Sequence, residues 1–174
     1  MPPAKTGRSK AAPARPRVRK AGMTLAEALI VRADSQKRLQ QLKVRLLAIA
    51  KVQEGDRPAE DPASLIEEIE GVAGELLRLI QRINRTNSLT ELEKGLSISD
   101  AIAARDVLKL RHGVYRELAA AAVVTQDRRT KSEVRFKSTV NIAKLQRSAD
   151  DIAKQHRELD AKIQAANWQH QLHD

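Results

Sequence analysis

The sequence predicts an all-α fold: an elongated four-helix up-down bundle, coiled-coil-like, with a short β-like hairpin between helices 2 and 3 and a short extended arm before helix 4. Three observations predict it. Apolar residues recur at three- and four-residue spacing through four long segments. Each segment opens on a Thr, Asp, Ser or Asn that suits a helix N-cap. Aromatics are confined to one Phe, one Tyr and one Trp in 174 residues, so any core is built from aliphatic side chains, as in narrow helix bundles.

The first helix starts at a capping box, Thr24 with Glu27, and carries Leu25, Leu29, Leu39, Leu42, Leu46 and Ile49 to about Lys51. Residues 53–60 turn the chain. Asp61 caps the second helix, with Pro62 at the first position, where its missing N–H costs nothing. Leu65, Ile69, Val72, Leu76, Ile80 and Ile83 form its apolar face, and it is expected to stop between Asn84 and Asn87, whose side chains compete for backbone hydrogen bonds. Residues 87–98 place Leu89, Leu92, Leu96 and Ile98 around a Lys94-Gly95 turn, which suits a small hairpin flap. Ser99 is the expected cap of the third helix, from Asp100 to about Thr125. Residues 126–131 read as a charged loop, and 132–140 alternate with the period of a short strand or extended arm. Asn141 caps the last helix, where Ile142, Leu145, Ala149, Ile152, His156, Leu159, Ile163 and Ala166 keep a 3,4 alternation through four heptads. At about 27 residues such a helix is about 40 Å long.

The net charge of +10, from 32 Lys and Arg against 22 Asp and Glu, is unevenly placed. Residues 1–22 hold Lys5, Arg8, Lys10, Arg15, Arg17, Arg19 and Lys20 with no acid, which leaves 25 bases against 22 acids in the rest. The first 22 residues therefore read as a disordered basic tail and 23–174 as a single helical domain. A start at Met23, with the tail an extension, is a second reading of the same boundary. The tail is the candidate tether for nucleic acid, acting through phosphate contacts without base reading.

Other classes are disfavoured. There is no cysteine for a disulfide or thiolate site, no apolar run near the ~20 residues of a membrane span, and no apolar stretch after the basic start to make a signal peptide. No Gly-x-Ser-x-Gly, Gly-x-x-x-x-Gly-Lys or Glu-x-x-His pattern occurs, so no catalytic residue, cofactor or metal is assigned. His170 and His173 are too close to a fraying terminus to be a favoured metal pair. A cytoplasmic protein without enzymatic activity is expected, with no membrane partner.

Polar residues interrupt the apolar seams. Arg32 and Gln36, with Asp34 beside them, fall between Leu29 and Leu39. Arg105 and His112 lie on the third helix's seam, with Asp106 adjacent, and His156 lies on the fourth. Such residues either fix helix register and assembly or line a polar pocket on the bundle axis; a seam displaced by one position would leave them in solvent.

The combination Leu25-Ala26-Glu27-Ala28-Leu29, Arg32-Ala33-Asp34, Gln36, Val52-Gln53-Glu54-Gly55, Ala59-Glu60-Asp61-Pro62, Arg82-Ile83-Asn84, Thr86-Asn87, Ala104-Arg105-Asp106, Arg157-Glu158-Leu159-Asp160, Ile163-Gln164 and Asn167-Trp168 resembles the septicolysin-like family of small bacterial proteins. The resemblance spans Met23 to about Leu172 and implies an all-helical, oligomeric protein of uncharacterised role. The family name implies a cytolysin. Carried over, its shared motifs mark Arg32, Asp34, Gln36, Arg82, Asn84, Asn87, Arg105, Asp106, Asn167 and Trp168, several of them the seam residues already singled out. The basic tail departs from the family, whose members begin close to the capping box. A homo-oligomeric scaffold, dimer or higher ring, is the leading expectation, because long narrow bundles leave apolar surface exposed.

Overall fold

The computed structural model describes residues 22–124 and 136–173, and it is all-α and bundle-like, as the periodicity predicts. The described residues form four helices, α1 (Leu25–Ala48), α2 (Pro62–Leu89), α3 (Ile98–Ala121) and α4 (Ile142–Gln169), with one antiparallel hairpin, β1 (Glu91–Glu93) with β2 (Leu96–Ser97), between α2 and α3. The basic tail, apart from Gly22, and the loop 126–131 lie outside the described residues. So do residues 132–135 of the expected arm. Its remainder, 136–140, is not a strand: the Ser138 hydroxyl donates to the Val140 carbonyl at 2.8 Å and bends the chain into the α4 cap.

Local chemistry sets the helix ends. In the α1 capping box, Thr24 N–H donates to Glu27 Oε2 at 2.7 Å and Glu27 N–H to Thr24 Oγ1 at 3.2 Å. Asp61 Oδ2 accepts from Ser64 N–H at 2.9 Å, and Asn141 Oδ1 from Lys144 N–H at 2.9 Å. Two expected boundaries are corrected. Helix α2 runs past Asn84 and Asn87 to Leu89, because the Thr86 and Ser88 hydroxyls donate back to the Arg82 and Asn84 carbonyls and so stay inside the helix. Helix α3 is capped by Ser97, not Ser99: Asp100 N–H donates to Ser97 Oγ, and Ser97 Oγ–H to Asp100 Oδ2 at 2.6 Å. That moves Ile98 out of the flap and into the first helical turn, where it is fully buried. Helices α1 and α3 also stop at Ala48 and Ala121, a turn short of expectation. In the flap Gly95 takes φ +79°, which closes the tight turn.

Packing is unequal. Antiparallel α1 and α2 form one helical hairpin and α3 and α4 a second, while contacts of α1 with α4 and of α2 with α3 are far sparser. Arg38 pairs with Glu68 at 2.5 Å, and Arg45 with Glu60, across the first hairpin. The hairpins join at a hub of Leu25, Ala28, Ile83, Ile98, Ala166 and Leu172, with Leu29, Leu79, Leu92 and Ile102 packed around it. Away from the hub, Leu42 and Leu65 are buried within the first hairpin, and Ala119, Ala149 and Ile152 within the second. The four-heptad seam of α4 is thus covered inside the chain by α3.

Candidate functional site

Polar side chains of the seams divide between the hub and the α3–α4 groove. At the hub, residues 170–173 run as a strap across the start of α1. Leu25 N–H donates to the His170 carbonyl at 2.9 Å, and Leu172 N–H to the Met23 carbonyl at 2.8 Å. Helix α2 grips the end of the strap: Arg82 Nε donates to the His173 carbonyl at 3.1 Å, and His173 N–H donates to Thr86 Oγ1 at 2.9 Å. Thr86 is fully buried, and its hydroxyl also donates to the Arg82 carbonyl at 2.8 Å. Asn167 is buried on α4 beside Ala166, and Asn87 is half-buried with its Oδ1 inaccessible and unpartnered. Trp168, next in sequence, is 60% exposed, and Asn84 is exposed.

On α1 the inward face runs Leu25, Leu29, Arg32, Ser35, Leu39 and Leu42. Arg32 is therefore on the seam, half-buried, with its Nε inaccessible and unpartnered. Gln36 is not on the seam, because that position falls to Ser35 and leaves Gln36 in solvent; Asp34 is also exposed, at the mouth of the groove lined by Arg38 and Glu68.

In the second hairpin Arg105 ties α3 to α4. Its Nη1 reaches Asp160 Oδ1 at 3.1 Å, and its Nη2 and Nε both donate to Asp106 Oδ1, at 2.8 and 3.1 Å. Hydrogen bonding to Asp106 first, then to Asp160, raises the Arg105 pKa above its ordinary value despite partial burial. His112 and His156 are half-buried along the same groove, with Lys109 and Arg157 at its rim. The groove is an open, mixed-charge cleft with a fixed guanidinium at one end. Among the described residues no group of three or more His, Cys, Asp or Glu could hold a metal ion.

Sequence reasoning passes over Thr86, Asp160 and the strap. Thr86 and Asp160 stand inside quoted motifs, and the Arg82–Thr86 spacing of one helical turn is the signal that could have found the first. The strap has only Leu172 to announce it, and its partner lies at the far end of the chain.

Among the described residues no helix is long and apolar enough to cross a membrane. No curated protein matches the chain in sequence. The fold is similar to the crystal structure of a functionally unknown conserved protein from Corynebacterium diphtheriae, with a TM-score of 0.81 and 41% identity over 87% of this chain and 99% of that one. A model described as a family of unknown function, DUF6847, matches residues 32–172, and the chain belongs to that family.

Proposed function

We propose that the protein is a non-enzymatic helical scaffold that works as a homo-oligomer. One observation carries the reading: with only two helices in each hairpin, large aliphatic side chains are left in solvent on three of the four helices. On α1 Ile30, Val44 and Leu47 are 53–65% exposed, on α2 Ile66, Leu77 and Leu89 are 50–64%, and α3 adds Val107, Leu110, Val114 and Leu118. Single exposed aliphatics are ordinary, but rows of them along helices are surfaces that association buries. The roles found for the seam residues support the non-enzymatic part: Arg82 holds the strap and Arg105 cross-links two helices. The resemblance to septicolysin-like proteins adds the same expectation of an assembled, all-helical molecule. Light scattering coupled to size exclusion is the test. A mass at a multiple of 19.3 kDa is expected; a monomer at every concentration up to hundreds of micromolar sinks the reading.

A further inference from the structure

The outer face of α3 differs from that of its partner helix. Ala103, Val107, Leu110, Val114, Leu118 and Ala121 follow one another at three- and four-residue intervals, and the four larger ones are 54%, 71%, 62% and 42% exposed. At about 100° per residue they form a stripe about 80° wide, roughly 145° around the helix from Ala101, Arg105, Leu108 and His112, which face α4. On α4 no large aliphatic residue is exposed, and the exposed positions include the charged Lys144, Arg147, Asp151, Lys154 and Glu158. The rest of the chain is poorly suited to cover such a stripe: residues 1–21 and 125–135 together contain only Met1, Val18 and Val134 as large apolar residues.

We propose that this stripe binds a second copy of the chain, α3 against α3, in a parallel two-fold pair. The proposal rests on the oligomer reading above and names the face and the geometry. Charges flanking the stripe choose the orientation. With Val107 and Val114 at a and Leu110 at d, Asp106 occupies g and Arg111 occupies e. In a parallel pair each g residue meets the partner's e residue five positions on, so Asp106 of each copy faces Arg111 of the other, twice per dimer. In an antiparallel pair like flanks meet, g against g and e against e, so Asp106 of one copy does not reach Arg111 of the other. Arg111 is exposed and takes part in no ion pair among the described residues. Both bonds from Arg105 fall on Asp106 Oδ1, so Oδ2 of this exposed carboxylate takes part in neither.

The chain has no cysteine, so thiols can be introduced one at a time into the full-length protein. In a parallel, in-register pair the a positions Val107 and Val114 each face their own copy. Val107→Cys and Val114→Cys are each expected to give a dimer band with a short bismaleimide, whereas Lys109→Cys, off the stripe, does not. Arg111→Glu and Asp106→Arg are each expected to weaken the dimer ten-fold or more by sedimentation, and the double swap to recover most of that loss. Circular dichroism checks that each variant stays helical, since Arg105 keeps Asp160 when Asp106 is replaced. Cross-linking at only one of the two stripe positions, or at neither, excludes a parallel in-register pair and overturns the proposal. So does an oligomer indifferent to all of these changes, although the scaffold reading then survives. A wild-type monomer overturns both.

Discussion

Thr86 shows how one small side chain can tie two segments together. Its hydroxyl accepts from His173 N–H and donates to the carbonyl of Arg82 one turn earlier, and the residue is sealed from water. Replacing it with Val keeps the shape but leaves the strap's N–H facing a methyl group. A buried donor stripped of its partner costs about 1–3 kcal/mol, so Thr86→Val is expected to lower unfolding stability by that amount in urea titrations. Thr86→Ser keeps the hydroxyl and loses only one methyl, and is expected to cost about 1 kcal/mol or less. Equal losses for the two would mean that the hydroxyl matters only for packing. Arg105 is a different case. Its guanidinium is partly exposed and so are both carboxylates it meets, so Arg105→Met should cost no more than about 1 kcal/mol, read from the same titrations.

At the scale of the element, the first hairpin is the acid-sensitive one. Three of its carboxylates are held below their ordinary range: Glu27 by the backbone and hydroxyl of Thr24, Glu60 by Arg45, and Asp61 by the hydroxyl and N–H of Ser64. A lowered carboxylate pKa adds stability above the unfolded value, and that stability is lost as pH falls through the folded value. Asp61→Asn and Glu27→Gln are therefore expected to be less stable than wild type at neutral pH, with the difference shrinking as the pH of the melts is lowered from 7 through the folded-state pKa values, which lie below the ordinary carboxylate range. A difference that does not shrink in acid would assign these residues another role. The caps at Thr24, Asp61 and Asn141 are legible in the sequence because each acts within three residues of itself. Ser97 was legible too, through Asp100 three residues on, but Ser99 presented a second serine before the same apolar run. The end of α2 was not: Thr86 and Ser88 look like helix breakers until their hydroxyls are seen bonding to carbonyls one turn back.

On the scale of the whole molecule, periodicity tells which face of a helix is buried but not which helix covers it. The sequence therefore shows Arg105, His112 and His156 on seams without showing that they share one groove, or that the α4 seam is covered by α3. It equally hides the hub, whose residues come from both ends of the chain. The hub has a consequence for stability. Ile83 is 1% exposed where all four helices meet, whereas Leu42 is 2% exposed deep within the first hairpin alone. Trimming either to Ala removes a similar buried volume and should cost about 2–5 kcal/mol. The loss is distributed differently, because hydrogen exchange reports cooperative units one at a time. Leu42→Ala is expected to speed exchange in α1 and α2 and leave α3 and α4 protected, since the second hairpin keeps its own seam. Ile83→Ala weakens the joint itself, so amides of all four helices should lose protection, and thermal unfolding should broaden from one transition towards two as the hairpins melt separately. If Ile83→Ala exposed only α1 and α2, the hub would be no more than the end of the first hairpin, and the second would have to be stable without it.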